Sequence, residues 1–357
     1  MMNLKTVLRK ELKSKPVDES KLGFGHVFTD HMLLIDYTEG IGWHDARIVP
    51  YGPISLDPAC QVLHYGQEIF EGLKCYRRQD GGLNLFRPRA NFERMARSAK
   101  RMGMAPLAVE DGLETLLALL KVEADWVPHQ EGTSLYIRPT MIATDNHLGV
   151  SASSTYLYYV ILSPSGAYYA TGLAPVGIYV EDAYVRAVRG GVGEAKTGGN
   201  YAASILAGVN AKHSGYAQVL WLDGVEQRYI EEVGAMNMMF VYEDRRIVTP
   251  VLNGSILPGI TRDSVLKLAA HMGYETQETR MDINAVIQDI QAGRITEAFG
   301  TGTAAVVSPV DHISFKGREI PIGKGGIGPI TQKLYDTLTG IQYGRLEDPM
   351  NWIVRVN

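Results

Sequence analysis

Gly190-Gly191-Val192-Gly193-Glu194-Ala195-Lys196-Thr197-Gly198-Gly199-Asn200-Tyr201 is the stretch on which the reading of this chain turns. A phosphate-cradling P-loop asks for a glycine, four residues, then Gly-Lys-Ser/Thr. Gly190 and Lys196-Thr197 fit that template, but Ala195 stands where the second glycine belongs. Downstream, Val219-Leu220-Trp221-Leu222-Asp223 would even supply an apolar strand ending in a magnesium-binding aspartate. Three features argue against that reading. A P-loop lysine opens a helix directly, whereas Gly198-Gly199 follow Thr197 and Asn200, a good N-cap, predicts a later start. The preceding strand should be apolar, yet residues 185–189 carry Arg186 and Arg189. Asp223 precedes Gly224, which is a turn pair. Standing alone, the segment reads as a glycine-rich turn with a solvated lysine.

Outward from this loop, the chain mixes strand and helix signals in no regular alternation. Before it, residues 31–37 read as a strand and residues 60–73 as a helix, on the spacing of Val62, Ile69 and Leu73. Gln79-Asp80-Gly81-Gly82 separates two short strand-like runs and predicts a hairpin. Helices are expected over residues 89–102, rich in arginine, and 109–126, where Leu113, Leu116, Leu117 and Leu120 recur at three and four. Residues 134–144 and 155–163 read as strands. The turn-rich run from Pro164 to Gly172 is the best interdomain boundary. Strands are expected near 176–180 and 184–189. After the loop, a helix is expected over 201–214, stopped by Gly215. Strands follow at 218–222, 236–242 and 246–249, then a helix over 261–272 stopped by Gly273. A short strand at 304–307 and a last helix over 329–342 complete the pattern. Strands outnumber helices, which points to an α+β or barrel-like mixed sheet.

Composition narrows the function classes. The chain has 357 residues, too many for one ordinary core, so two domains are expected. With 45% hydrophobic and 21% charged residues it has the mix of a globular protein. A formal net charge of −4 gives no reason to expect a nucleic-acid partner. The apolar runs are strand-sized, so no membrane span is expected. The N-terminus lacks the apolar core of a signal peptide. Cys60 and Cys75 fit neither a zinc site nor a disulfide framework, no metal site is expected, and a reducing cytoplasm is the simplest home.

The lysine segment from Gly193 to Tyr201 closely resembles that of the branched-chain amino acid aminotransferases, fold-type IV enzymes that use pyridoxal 5'-phosphate. Further matches follow in the family's order: Glu232-Val233-Gly234-Ala235-Met236-Asn237, Leu257-Pro258-Gly259-Ile260-Thr261-Arg262 and Gly300-Thr301-Gly302-Thr303-Ala304. Before the loop, Phe28-Thr29-Asp30-His31-Met32, Leu63-His64-Tyr65, Phe70-Glu71-Gly72, Phe86-Arg87-Pro88 and Leu135-Tyr136-Ile137-Arg138-Pro139 match as well. The resemblance runs from about Phe24 to Gly344. It implies an α+β fold with a small N-terminal sandwich-like domain over residues 1–165, an interdomain loop over 166–175, and a larger pseudo-barrel domain over 176–357 that binds the cofactor. It also implies a homodimer or larger homo-oligomer, and ping-pong transfer of an amino group between leucine, isoleucine or valine and 2-oxoglutarate. A D-amino-acid aminotransferase or an aminodeoxychorismate lyase would share the scaffold, but those relatives are shorter and lack most of the matches around residues 28–72.

The resemblance also assigns roles. Lys196 would form the Schiff base with the cofactor and carry the proton at the substrate α-carbon, which needs a lowered pKa. Glu232 would face the pyridine nitrogen; Glu231, if on the same strand, points the other way. Tyr201 would bond the cofactor's phenolic oxygen. Arg94, the backbone N–H groups of Ile260 and Thr261, and the Thr303 hydroxyl would hold the phosphate. Tyr65 with the backbone of Thr303 and Ala304 would hold the α-carboxylate. Tyr136 and Arg138, two apart on a strand, would support Tyr65 and admit the second carboxylate of glutamate. Phe24, Tyr65 and Tyr168 would line the side-chain pocket, closed by Leu148 and Val150 of a second subunit. Animal members of the family carry Cys-x-x-Cys after the Gly-Thr-Ala loop; here Ala305 and Ser308 stand there, so no thiol switch is expected.

Overall fold

A computed structural model of the chain describes residues 2–166 and 173–356. Its contacts divide into two units: Met1–Ala170 with Ala195–Gly198 and Gly340–Asn357, and Thr171–Glu194 with Gly199–Thr339. The lysine segment 195–198 thus packs as part of the first unit, not with the chain on either side of it.

The first unit is built on a nine-stranded sheet. Its order is Lys5–Thr6, Gly42–Pro50, His31–Thr38, Thr155–Ser165, Ser134–Ala143, Leu73–Arg77, Leu83–Phe86 and Ile353–Val356, with Glu68–Phe70 also paired to Ser134–Ala143. The helices Pro88–Arg101 and Val109–Val122 share a core with it, through Phe92, Met95 and Ala99 on the first and Leu116, Leu119 and Leu120 on the second. The first helix buries a second, polar stripe. Asn91, Arg94 and Ser98, spaced three and four apart, are all buried. A polar stripe under cover needs partners, and these lie at the lysine segment.

The second unit closes a barrel. The strands Ile230–Val233, Gln218–Leu222, Val176–Glu181, Val306–Phe315, Ile295–Gly302 and Met236–Tyr242 pair in that order, and the last pairs back to the first. Parallel and antiparallel pairs alternate irregularly round the ring, as an α+β sheet does. Val180, Leu220, Val233, Met238, Phe240 and Ile313 belong to its core. Gly234, at φ 57°, turns the chain between Val233 and Met236 and so sets Glu232 opposite Asn237.

Four sequence expectations change. Residues 60–73 are not one helix: Gln61–Tyr65 ends at Gly66, a left-handed cap, and the chain then enters two strands. Residues 184–189 form no strand and pair with no neighbour as one; Arg186 among them makes the side-chain contacts described below. The helix expected at 201–214 is two, Gly198–Ala202 and Ile205–His213. The Ser204 hydroxyl bonds the Tyr201 carbonyl at 2.7 Å and competes with the helical ladder there. The strand expected at 304–307 starts at Val306 and runs to Phe315, while residues 303–305 are the turn before it. The helix after Lys196 opens at Gly198, so a late helix start is not what separates this segment from a P-loop. What surrounds the lysine is.

Candidate active site

Lys196 is held by its backbone before its side chain does anything. Its N–H donates to Ser98 Oγ at 3.0 Å, and its carbonyl accepts from the Phe70 N–H at 2.9 Å. The next residue, Thr197, donates its hydroxyl to the Glu68 carbonyl at 2.7 Å. The polar stripe of the Pro88–Arg101 helix and the short strand Glu68–Phe70 therefore clamp the segment from two sides. The amine lies 4.8 Å from the centre of the Phe70 ring. Desolvation brings its pKa down to about 8, Arg94 and Arg138 push the same way, and Glu71 and Tyr136 pull back.

Arg94 is buried and paired with Glu71, which is buried as well. Nε and Nη2 of the arginine each donate to a different carboxylate oxygen at 2.8 Å. Asn91 Nδ2 adds a third bond to Glu71 at 2.8 Å and the Gly72 N–H a fourth at 3.2 Å. Burial opposes ionisation of Glu71, but the Arg94 charge and these bonds outweigh it and hold the carboxyl below its usual range. The pair fixes the plane of the guanidinium. Arg138 stacks over the same Phe70 ring at 4.8 Å and donates from Nη2 to the Tyr136 hydroxyl at 3.1 Å. Phe24 meets the Tyr136 ring edge-on with centroids 4.8 Å apart. The first unit thus brings together Lys196, Arg94, Tyr136, Arg138 and Phe24.

Tyr65 is placed differently from the expectation that it lines a pocket with these residues. Its hydroxyl bonds the Leu148 carbonyl, and its side chain shares a surface with Leu148 and, nearby in sequence, Val150. Among the described residues these three are 41%, 66% and 84% exposed, high values for apolar and aromatic side chains. Tyr168 lies outside the described residues.

In the second unit Glu231 and Glu232 are both buried on the strand Ile230–Val233, with different partners, as alternation requires. Glu231 accepts from the Ser255 hydroxyl and from Asn253 Nδ2 at 3.0 Å. Glu232 accepts from the Leu257 N–H at 2.7 Å and faces Arg186 Nε at 3.1 Å. Arg186 Nη2 also donates to the Ser255 and Gly193 carbonyls, the latter at 3.3 Å. Asn237 Nδ2 ties the Leu257 carbonyl at 2.9 Å. Leu257 leads to Gly259, the N-cap of the helix Ile260–His271, whose first turn holds Ile260 and Thr261. Thr303 and Ala304 sit in the turn between Ile295–Gly302 and Val306–Phe315. Tyr201 lies on the helix Gly198–Ala202.

Sequence reading gave no role to Glu71, Phe70, Asn91, Ser98 or Arg186. Two signals were present: Phe70-Glu71-Gly72 among the matched segments, and polar residues at 91, 94 and 98 on one helix face. Arg186 left none, because it merely spoiled an expected strand. Among the described residues no group of three or more His, Cys, Asp or Glu is placed to share a metal ion, and no helix is long and apolar enough to cross a membrane.

Comparison with known proteins gives concordant findings. Residues 68–313 match the family model for amino-transferase class IV. A relative named probable branched-chain-amino-acid aminotransferase, from Staphylococcus aureus (strain N315), is 56% identical over 99% of this chain and 98% of its own length. The crystal structure of the Escherichia coli branched-chain amino acid aminotransferase superposes with a TM-score of 0.76 at 29% identity, covering 90% of this chain and 99% of that one. The crystal structure of the T.th. branched-chain amino acid aminotransferase complexed with N-(5'-phosphopyridoxyl)-L-glutamate gives a TM-score of 0.73 at 29% identity, covering 91% of this chain and 98% of that one.

Proposed function

Because the chain belongs to the class IV aminotransferases, as one of the branched-chain-amino-acid aminotransferases, we propose that it moves the amino group of L-leucine, L-isoleucine or L-valine to 2-oxoglutarate in two half-reactions at one site. The observation that carries this reading is the Lys196 amine, desolvated against Phe70 with its pKa brought down to about 8 beside Arg94 and Arg138. A lysine so placed is neutral enough near physiological pH to act as nucleophile and base.

The residues fit pyridoxal phosphate. When bound, the cofactor supplies an aldehyde for the amine and a ring that accepts the electron pair left at the substrate α-carbon. Lys196 would hold it and then pass the proton at that carbon. Glu232, buried and bonded to the Leu257 N–H, would keep a proton on the ring nitrogen. Tyr201 would bond the phenolic oxygen. Arg94, held in plane by Glu71, would take the phosphate with the N-terminal amides at Ile260 and Thr261 and the Thr303 hydroxyl. For the substrate, the Thr303 and Ala304 backbone would hold the α-carboxylate, with Phe24, Tyr136 and Tyr168 along the side chain. Arg138 would take the distal carboxylate of glutamate. Tyr65, Leu148 and Val150 act together in this reading, as the patch one subunit offers to the site of another in a homodimer or larger homo-oligomer. Cys60 and Cys75 are both free and buried, which suits a cytoplasmic enzyme.

Two half-reactions at one site have a kinetic signature. Double-reciprocal plots for leucine at several fixed 2-oxoglutarate concentrations should be parallel. Intersecting lines, or turnover of D-leucine in place of L-leucine, would contradict the proposal.

A further inference from the structure

Glu68 and Phe70 lie two apart on one strand and so face the same side of the sheet. Their antiparallel partner pairs Phe70 with Thr140 and Glu68 with Ile142, and Tyr136 and Arg138 continue that same side at a spacing of two. The Phe70 ring marks what the side is for, since both Lys196 Nζ and Arg138 Cζ lie over it at 4.8 Å. A carboxylate that none of the steps above employs therefore stands on the face of the reacting lysine. A Cβ added to Gly198, two residues past Lys196, would overlap Glu68 Oε1. The Tyr159 hydroxyl, on the next strand, feels the charges of both Glu68 and Arg138. Arg138 keeps its Nε buried without a hydrogen-bond partner.

We propose that Glu68 is a specificity-determining residue: its carboxylate balances the Arg138 charge while the bound side chain is apolar, and competes for that arginine with the distal carboxylate of a dicarboxylate substrate. This rests on 2-oxoglutarate and glutamate being substrates of the same site. The reason is electrostatic. A site that takes leucine and glutamate in turn must hold a half-buried guanidinium with no carboxylate of the substrate opposite it half of the time, and a charge drawn partly out of water is costly when unbalanced. A resident carboxylate on the same side of the sheet lowers that cost for leucine and raises the cost of admitting a second anion. Specificity is a difference of two affinities, and Glu68 acts on both in opposite directions. Burial raises the Glu68 carboxyl above its usual range and the Arg138 charge offsets this only in part.

Turnover of L-leucine with 2-oxoglutarate by the unaltered enzyme tests the parent reading separately. The inference is tested by Glu68→Gln, which keeps the shape and removes the charge, with Glu68→Asp as the variant that retains it. KM is measured for 2-oxoglutarate and for 4-methyl-2-oxopentanoate in the reverse reactions, each enzyme first checked for its cofactor absorption. In Glu68→Gln the ratio of the first KM to the second should fall by roughly tenfold, carried by tighter 2-oxoglutarate. In Glu68→Asp it should stay within about twofold of the unaltered enzyme. A ratio unchanged in Glu68→Gln, or both constants moving by one factor, would overturn the inference, because a merely structural role moves them together.

Discussion

Lys196, Glu71 and Arg94 feel one another's charge, and the coupling has measurable consequences. Desolvation lowers the lysine pKa to about 8, Arg94 adds to the fall and Glu71 restrains it. The neutral amine reacts with an aldehyde, so capture of pyridoxal phosphate by the cofactor-free protein should speed up as pH rises through about 8 and level off above. A midpoint near the ordinary lysine value would mean that the amine is solvated. Glu71→Gln removes the restraint and should move that midpoint down. It also removes the negative charge opposite the buried Arg94, which should lower stability in thermal or urea denaturation by about 3 kcal/mol or less. At the same scale, Ala305 and Ser308 carry no thiol, and Cys60 and Cys75 are buried. Peroxide should leave activity intact; reversible inactivation abolished by substituting Ala305 or Ser308 would contradict this.

At the level of elements, the site depends on two close approaches that no single side chain explains. One is the helix Pro88–Arg101, whose apolar stripe faces the core while Asn91, Arg94 and Ser98 face Glu71 and the lysine backbone. The other is the loop ahead of Lys196, where Arg186 ties the Gly193 and Ser255 carbonyls and a Cβ on Gly193 would overlap the Ser255 carbonyl oxygen. Gly193→Ala must push backbone from backbone. It should cost about 1–3 kcal/mol and weaken cofactor binding together with stability, read by titrating the absorption band. The same elements show what a sequence can say. The helices expected at 89–102, 109–126 and 329–342 are found at Pro88–Arg101, Val109–Val122 and Pro329–Gln342; the second announces itself through leucines recurring at three and four, and ends four residues early. Residues 60–73 mislead because Val62, Ile69 and Leu73 fit a helical spacing that Gly66 interrupts. Arg186 is illegible because two of its partners, Glu232 and the Ser255 carbonyl, are distant in sequence, which no local pattern encodes.

At the scale of the whole molecule, the chain divides into two units with separate cores, the first carrying Lys196, Arg94 and Arg138 and the second Glu232, Ile260 and Thr303. The ordered run of matched segments told of the family, since such segments keep their order when the loops between them vary. It did not tell that Tyr65 pairs with Leu148, because which surfaces are left uncovered is a property of the folded chain. That patch predicts association. Sedimentation should give a multiple of the 39.3 kDa chain, and Leu148→Asp should shift it toward the monomer with a loss of turnover. A monomer with full activity would remove Tyr65, Leu148 and Val150 from the site. The central claim is that one lysine-held cofactor takes nitrogen from a branched-chain amino acid and gives it to a 2-oxo acid. The visible absorption spectrum of the purified protein, before and after L-leucine and then 2-oxoglutarate, tests it most directly. The account predicts a yellow band that bleaches with leucine, returns with 2-oxoglutarate, and is missing or unresponsive in Lys196→Ala. A band indifferent to L-leucine but bleached by D-alanine, or no band after adding pyridoxal phosphate, would contradict it.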